Sequence, residues 1–328
     1  MRCTALVTAR AARAGVDRGR ISRPSGRPHL SRLDNMCSTD LLGQVREMIA
    51  RQWDLSIDRG VPLSGGEESD CFRCGEFVIR ISPTWRTDAE LEWAYRVAAG
   101  TAAAVPEAAS PLPTTEGRLI LRHDDRPISI WPLLPGKAAT PSNMTHRAEA
   151  ATLLARLHRA LAKVPIDTER PSLSGPGEIP DPVLVDDELD RWMQRFHDLH
   201  RRRQPLHGDF YASNVLTDGD RLTGVIDWDD ALVGPPEQEL AWAAWEWTDG
   251  RTTLDIDAGL AFAQRYAAAG GTAAPLTREE YVQLTRDRIR RDVSYSQASG
   301  SWGTSTDPED IAYEATQMRA FATLESMV

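Results

Sequence analysis

The sequence predicts an α+β protein of two lobes, a small antiparallel sheet with one helix and then a mainly helical lobe. Three observations carry this. Short β-rich runs separated by glycine or aspartate turns occupy residues 60–82 and 118–132. Apolar residues at helical spacing dominate the chain beyond Gly136. The pattern changes at "WPLLPG", where the lobes join.

Each element has a local cause. "DLLGQVREMIARQWDL" spaces its apolar residues as a helix, with Asp40 placed to cap it. "GVPLSGGEESDCFRCGEFVIRIS" alternates strand runs with glycine turns, the pattern of an antiparallel hairpin. "TDAELEWAYRVAAG" reads as a helix capped by Thr87 or Asp88 and stopped at Gly100. "RLILRHDDRPISIWPLLPG" gives two more strands around Asp124-Asp125. Beyond Gly136, "THRAEAATLLARLHRALAKV" and "VDDELDRWMQRFHDLHRR" are amphipathic helices joined by a Pro-, Ser- and Gly-rich linker over 165–182. Further helices are expected in "EQELAWAAWEWT" and near 255–269, 278–298 and 307–326. There is no internal repeat. The expected division is a tail over 1–38, an N-terminal lobe over 39–134 and a C-terminal lobe over 135–328.

The chain has 328 residues, enough to bury a large core, and its 41% hydrophobic and 26% charged content is ordinary for a soluble globular protein. No apolar run is long enough to cross a bilayer. The net charge of −10 argues against nucleic acid and for a cationic or metal-chelated partner. That charge is uneven. Residues 1–35 hold eight arginines against Asp17 and Asp34, a net +6, so the rest of the chain carries −16. The expectation is a disordered basic tail, or upstream sequence ahead of a true start at Met36; a transit peptide is the rival reading. "CFRC" (Cys71, Cys74) resembles half a zinc or redox site, but three-residue spacing on a strand points the thiols to opposite faces and no second pair exists. Unpaired cysteines fit a reduced, cytoplasmic protein.

Chemistry concentrates in "PLHGDFYASNVLTDG" and "TGVIDWDDA". The hairpin in "VLTDGDRLTGVID" folds Asp227 back beside Asn214, and Asp209 lies at the other end of the same loop. Two carboxylates and an amide oxygen then converge, a hard-oxygen environment that suits Mg²⁺ when substrate phosphates complete its shell. A surface turn needs no such convergence.

"HGDFYASN" and then "IDWDD" resemble the aminoglycoside phosphotransferase family, together with the related choline and homoserine kinases, a branch of the protein-kinase-like superfamily. The resemblance covers roughly residues 40–250 by order of elements and is sharp at 207–214 and 225–231. It implies a protein-kinase-like fold with the nucleotide between the lobes. It also implies that Asp209 accepts or orients the proton of the attacking hydroxyl, with Asn214 and Asp227 holding Mg²⁺. His207 is read as a buried brace. Asp229 and Asp230 are open between tuning the metal, meeting the substrate and forming a solvated acidic turn. Gly65, Gly66 and Ser69 fall in the phosphate-loop position, where backbone N–H groups approach phosphates. Arg80 stands where such enzymes carry a phosphate-binding lysine or arginine, paired with Glu92 in preference to Glu90. Leu133 or Leu134 would donate to the adenine at the hinge, because Pro132 has no N–H. His158 is read as core, and Glu239 as a lengthened version of the family's structural aspartate.

The expected activity is transfer of the ATP (or GTP) γ-phosphate to a hydroxyl of a small molecule, an aminoglycoside-type antibiotic first, which would confer resistance. An amino alcohol such as homoserine or choline is the metabolic alternative. A silent pseudokinase is the third, opposed by the intact set of Asp209, Asn214 and Asp227. Glu246 and Asp249 are expected to border the acceptor pocket and, with the −16 charge, to favour a cationic acceptor. The tryptophans of "AWAAWEWT" are expected in the core, with an aromatic ammonium pocket as the alternative. His197 and His200 share a helix face without a third ligand.

Overall fold

The computed structural model describes residues 34–57, 59–63, 69–165, 181–199, 202–298 and 302–327. The greater part of the basic tail and of the 165–182 linker therefore lies outside the described residues. Helix α1 (Asp34–Trp53) precedes a five-stranded antiparallel sheet of β1 (Val61–Pro62), β2 (Asp70–Cys74), β3 (Phe77–Ile81), β4 (Leu121–His123) and β5 (Arg126–Pro132). The spatial order is β1-β2-β3-β5-β4, with α2 (Asp88–Ala102) inserted between β3 and β4.

The alternation of "FVIRI" builds two faces. Ile79 and Ile81 join Phe72, Ile128 and Ile130 against Leu42, Val45, Ile49 and Trp53 of α1. These α1 residues recur every three or four positions, and each contributes roughly 1.5–3 kcal/mol on burial. Val78 and Trp131 instead pack with Leu91 and Tyr95 of α2 in the larger core. The two cysteines divide in the same way, Cys74 facing α1 and Cys71 the α2 side, and burial pushes both thiols up to about 11. Neither a zinc half-site nor a reactive pair forms.

Helix α1 starts six residues before its expected cap. Asp40 lies inside the helix, and α1 crosses the expected boundary at 38, because residues 34–40 hold no proline or glycine to stop it. Thr87 does cap α2, in a reciprocal capping box with Glu90. That helix runs past Gly100 to Ala102.

The second lobe begins with β6 (Lys137–Ala138) and α3 (Met144–Leu161), then α4 (Asp187–Asp198). Next come β7 (Gln204–Leu206), β8 (Val215–Asp218), β9 (Arg221–Val225) and β10 (Leu232–Gly234). β8 and β9 form the expected hairpin, which β6 extends, while β7 pairs with β10. Helices α5 (Pro236–Trp247), α6 (Gly250–Thr253), α7 (Ile256–Ala268), α8 (Arg278–Ala298) and α9 (Pro308–Glu325) complete it. Trp245 and Trp247 are fully buried and Trp242 nearly so, which makes "AWAAWEWT" core.

Candidate active site

The loop between β7 and β8 is held from beneath. Glu239 of α5 accepts from the backbone N–H groups of both His207 (3.2 Å) and Gly208, and from His158 Nε2 (2.8 Å). Burial alone would raise the Glu239 pKa, but the hydrogen bond and charge of His158 outweigh it and keep the carboxylate below its ordinary value. His158 is fully buried on α3, its Nδ1 2.7 Å from the Tyr266 hydroxyl. His207 is also fully buried, stacked edge-to-face on Trp228 at 4.6 Å. Burial lowers its pKa, so the ring is neutral: Nδ1 accepts from Asp209 N–H (3.3 Å) and Nε2 donates to Ile226 O (3.0 Å). Both ring nitrogens of His207 are thus engaged with the backbone, and the residue braces the loop. Gly208 has φ +85°, and a Cβ there would stand 2.1 Å from Asp230 O. Only glycine fits.

The turn at Ala212–Asn214 then returns Asn214 to Asp209. Asn214 Nδ2 donates to both Asp209 O (3.0 Å) and Asp209 Oδ2 (2.9 Å), which accounts for their five-residue spacing. Ile226 N donates to Asn214 O (2.9 Å) as β9 ends, and this places Asp227 beside Asn214. Asp227 has φ +65° and a side chain 41% exposed, which leaves it reachable from the cleft. With Nδ2 committed to Asp209, Asn214 offers its amide oxygen, and Asp227 adds a reachable carboxylate. An amide oxygen and a carboxylate are hard donors, a set that fits a Mg²⁺ whose remaining ligands are phosphates and water. Among the described residues no cluster of three or more His, Cys, Asp or Glu is arranged to hold a metal unaided.

Arg80 reaches this site from β3. Its Nη2 lies 2.8 Å from Asp229 Oδ2 and 3.1 Å from Asp227 Oδ1. The expected pairing with Glu92 or Glu90 is not made. Glu92 accepts from Leu119 N–H (3.2 Å), and Glu90 is spent on its capping box with Thr87. The helix residue that meets the Arg80 cluster is Tyr95, whose hydroxyl donates to Asp229 Oδ1 (3.1 Å). Asp229 is 3% exposed, which rules out a solvated turn, and it stands as a counter-ion for Arg80. Burial raises its pKa, against the opposing pull of Arg80. Asp230 accepts from Arg86 Nη2 (3.3 Å), so two arginines of the first lobe grip the "DWDD" loop of the second.

Around the nucleotide position the outcome is mixed. Gly65 and Gly66 lie outside the described residues. Ser69 is buried, and neither its hydroxyl nor Arg80 Nε has a hydrogen-bond partner among the described residues. At the hinge, Leu133 N–H is committed to Glu76 O (2.7 Å), which continues the β3–β5 ladder and removes Leu133 as a donor. Leu134 remains.

The two carboxylates expected at the acceptor depart most from expectation. Glu246 is 4% exposed, so it is not a surface carboxylate that attracts ligands through solvent. Burial, opposed by Arg251 and reinforced by Asp292, pushes its pKa up to about 6, and its Oε2 has no hydrogen-bond partner among the described residues. Asp249 is partly buried with φ +53°. Sequence reasoning missed Tyr95, Arg86 and Arg288, none of which belongs to a local motif.

Set against known proteins, residues 59–281 match the model of the phosphotransferase enzyme family APH, more than half of the chain. The chain belongs to the APH phosphotransferase family. Hygromycin-B 4-O-kinase of Escherichia coli is 41% identical over 63 residues, 18% of each chain. Homoserine kinase of Methylobacillus glycogenes is 26% identical over 190 residues, 52% of this chain and 56% of that protein. The chain thus spans about half or less of the length of these curated APH-like relatives. Among solved structures, amicoumacin kinase hAmiN in complex with AMP-PNP, Ca²⁺ and Ami superposes with a TM-score of 0.63 at 10% identity, over 89% of this chain and 96% of that one. At that identity the likeness establishes the fold, the two-lobed protein-kinase-like architecture of APH enzymes.

Proposed function

We propose that this chain is an ATP-dependent kinase that transfers the γ-phosphate to a hydroxyl of a small molecule. The observation that carries the reading is the Asp209–Asn214–Asp227 constellation, locked together by Asn214 and placed beneath Arg80. Asp209 orients the acceptor hydroxyl and takes its proton. The acceptor oxygen forms the new bond to γ-phosphorus, the bond to the β,γ-bridging oxygen breaks, and ADP leaves with that electron pair. Asn214 and Asp227 hold Mg²⁺, which when bound neutralises charge on the phosphates. Arg80 shares its charge between Asp229, its permanent partner, and the α/β-phosphates. The Ser69 hydroxyl and Arg80 Nε, which have no hydrogen-bond partner among the described residues, and the backbone of Gly65 and Gly66 supply donors along the phosphate chain. Leu134 N–H is the hinge donor to the adenine.

The first reading of the acceptor is an aminoglycoside-type antibiotic, in line with the similarity to hygromycin-B 4-O-kinase and with a role in resistance inside the cytoplasm. Homoserine or another amino alcohol is the second, favoured by the longer stretch shared with homoserine kinase. In both cases the acceptor carries an amine, which suits an acceptor side where Glu246, Asp249 and Asp292 outnumber Arg251 and Arg288. A coupled ADP-release assay with hygromycin B, other aminoglycosides, macrolides, homoserine and choline tests this. Turnover of an aminoglycoside at micromolar KM supports the first reading, preference for homoserine or choline the second, and silence with every acceptor overturns both.

A further inference from the structure

Asp209 is gripped from a second direction by a residue 80 positions beyond Gly208. Arg288 of α8 donates through Nη1 to Gly208 O (3.1 Å), and its Nη2 stands 3.8 Å from Asp209 Oδ1. Its Nε is tied to Asp292 Oδ1 (2.9 Å) one helical turn on, and its guanidinium lies 5.2 Å from the ring centre of Trp242 in α5. We propose that Arg288 is the positioning residue for Asp209, fixing the direction in which that carboxylate meets the acceptor hydroxyl. This rests on the phosphotransfer reading above and adds to it the group that aims the base.

The Asp209 carboxylate has two oxygens, and the two grips divide them: Asn214 Nδ2 holds Oδ2, while Arg288 stands beside Oδ1. The distance of 3.8 Å exceeds a hydrogen bond, so Oδ1 is steered by charge. Solvent screens that charge less than it would at the surface, because the Arg288 side chain is only 17% exposed and Asp209 less so. The hydrogen bond to Gly208 O fixes the peptide immediately before Asp209, so backbone and side chain are set by one guanidinium. Arg288 is in turn immobilised, by Asp292 at Nε and by the Trp242 face. An arginine that only tied α8 to the second lobe would need neither the carboxylate nor the peptide that carries it.

The test uses the full chain with Mg·ATP and whichever panel acceptor the wild type turns over best. Arg288→Gln is expected to lower kcat by at least ~10-fold, since a misplacement of about 1 Å costs up to ~10²-fold. KM for Mg·ATP should stay near wild type. Arg288→Lys, which restores a charge but not the fork, should recover part of the lost kcat, and Asp292→Asn should fall between the two. If Arg288→Gln unfolds the chain, Arg288→Lys alone decides: reduced kcat at unchanged nucleotide KM supports the role, and wild-type kcat ends it. An active wild type with Arg288→Gln within about twofold of its kcat, or a loss confined to nucleotide KM, overturns the positioning role and leaves the kinase reading intact. A wild type silent with every acceptor overturns both.

Discussion

Arg80 and Asp229 form a buried ion pair across the two lobes, Nη2 to Oδ2 at 2.8 Å, with Tyr95 donating to the other Asp229 oxygen. The family resemblance places a helix glutamate in this role. Taking the counter-ion from the "DWDD" loop instead means that the arginine and the metal-site carboxylate Asp227 share one cluster. Fully stranding a buried charge costs about 3–5 kcal/mol, and Arg80 keeps Asp227 at 3.1 Å when Asp229 is lost. Asp229→Ala is therefore expected to lower unfolding free energy by less than that amount and to raise KM for Mg·ATP, because Arg80 loses the contact that aims it. Tyr95→Phe should act in the same direction and less strongly. Denaturant titration and nucleotide-dependent kinetics check this; wild-type values in both would remove Asp229 from the phosphate site.

Asp209→Ala separates chemistry from nucleotide binding. Asp209 contacts Asn214 and lies near Arg288, and Asn214 keeps its hydrogen bond to the Asp209 carbonyl oxygen when the side chain is removed. The variant should lose at least ~10²-fold in kcat, the usual worth of a positioned acid–base group, while ATP affinity is kept. Retention of more than about a tenth of wild-type kcat contradicts the role.

Asp227→Ala should abolish the Mg²⁺-dependent part of ATP binding, and Asn214→Ala should weaken it less, because a neutral amide oxygen holds the cation less firmly than a carboxylate. Asp227→Ala also releases Arg80 from one of its two contacts, so metal-free ATP affinity should hold or rise. Calorimetric titrations with and without Mg²⁺ separate the effects. Equal affinities in both mutants and wild type, with the metal present, would remove the proposed site.

How much of the fold and site is legible in the sequence depends on the range of the interaction. Asp209, Asn214 and Asp227 are fixed by a loop and a hairpin, both local, so their spacing alone places them together. His207 and His158 read as buried because both sit in apolar stretches. Glu239 reads as structural, and its three acceptor contacts agree. The Arg80 partner is not legible because helix α2 offers several side chains, and its rotation against the sheet, decided by packing of Leu91 and Tyr95, selects among them. Leu133 is misplaced because strand β5 pairing continues one residue past its last assigned position. The depth of Glu246 escapes because the burial of a helix end depends on α8 and α9, far away in sequence. Arg288 has no local signal at all.

Glu246 lies deep enough to make stability depend on pH. Its pKa is raised from 4.5 to about 6, chiefly by burial. Between those two values the folded state holds a proton that the unfolded state has released, so stability falls as pH rises through this window and the full cost is present above it. That displacement corresponds to about 2 kcal/mol. Glu246→Gln should therefore stabilise the protein by roughly that amount at pH 7.5, with the gain shrinking as pH falls toward 4.5. The same substitution removes a charge from the acceptor side, so acceptor KM should rise while Mg·ATP KM stays put. Because Glu246 is buried, raising salt should not reproduce this loss, since mobile ions screen exposed charges far better than buried ones. Denaturation at the two pH values and acceptor kinetics at low and high salt measure each part. A destabilised Glu246→Gln at pH 7.5, or an acceptor KM indifferent to it, would show that the charge of Glu246 is satisfied within the fold and does not serve the acceptor.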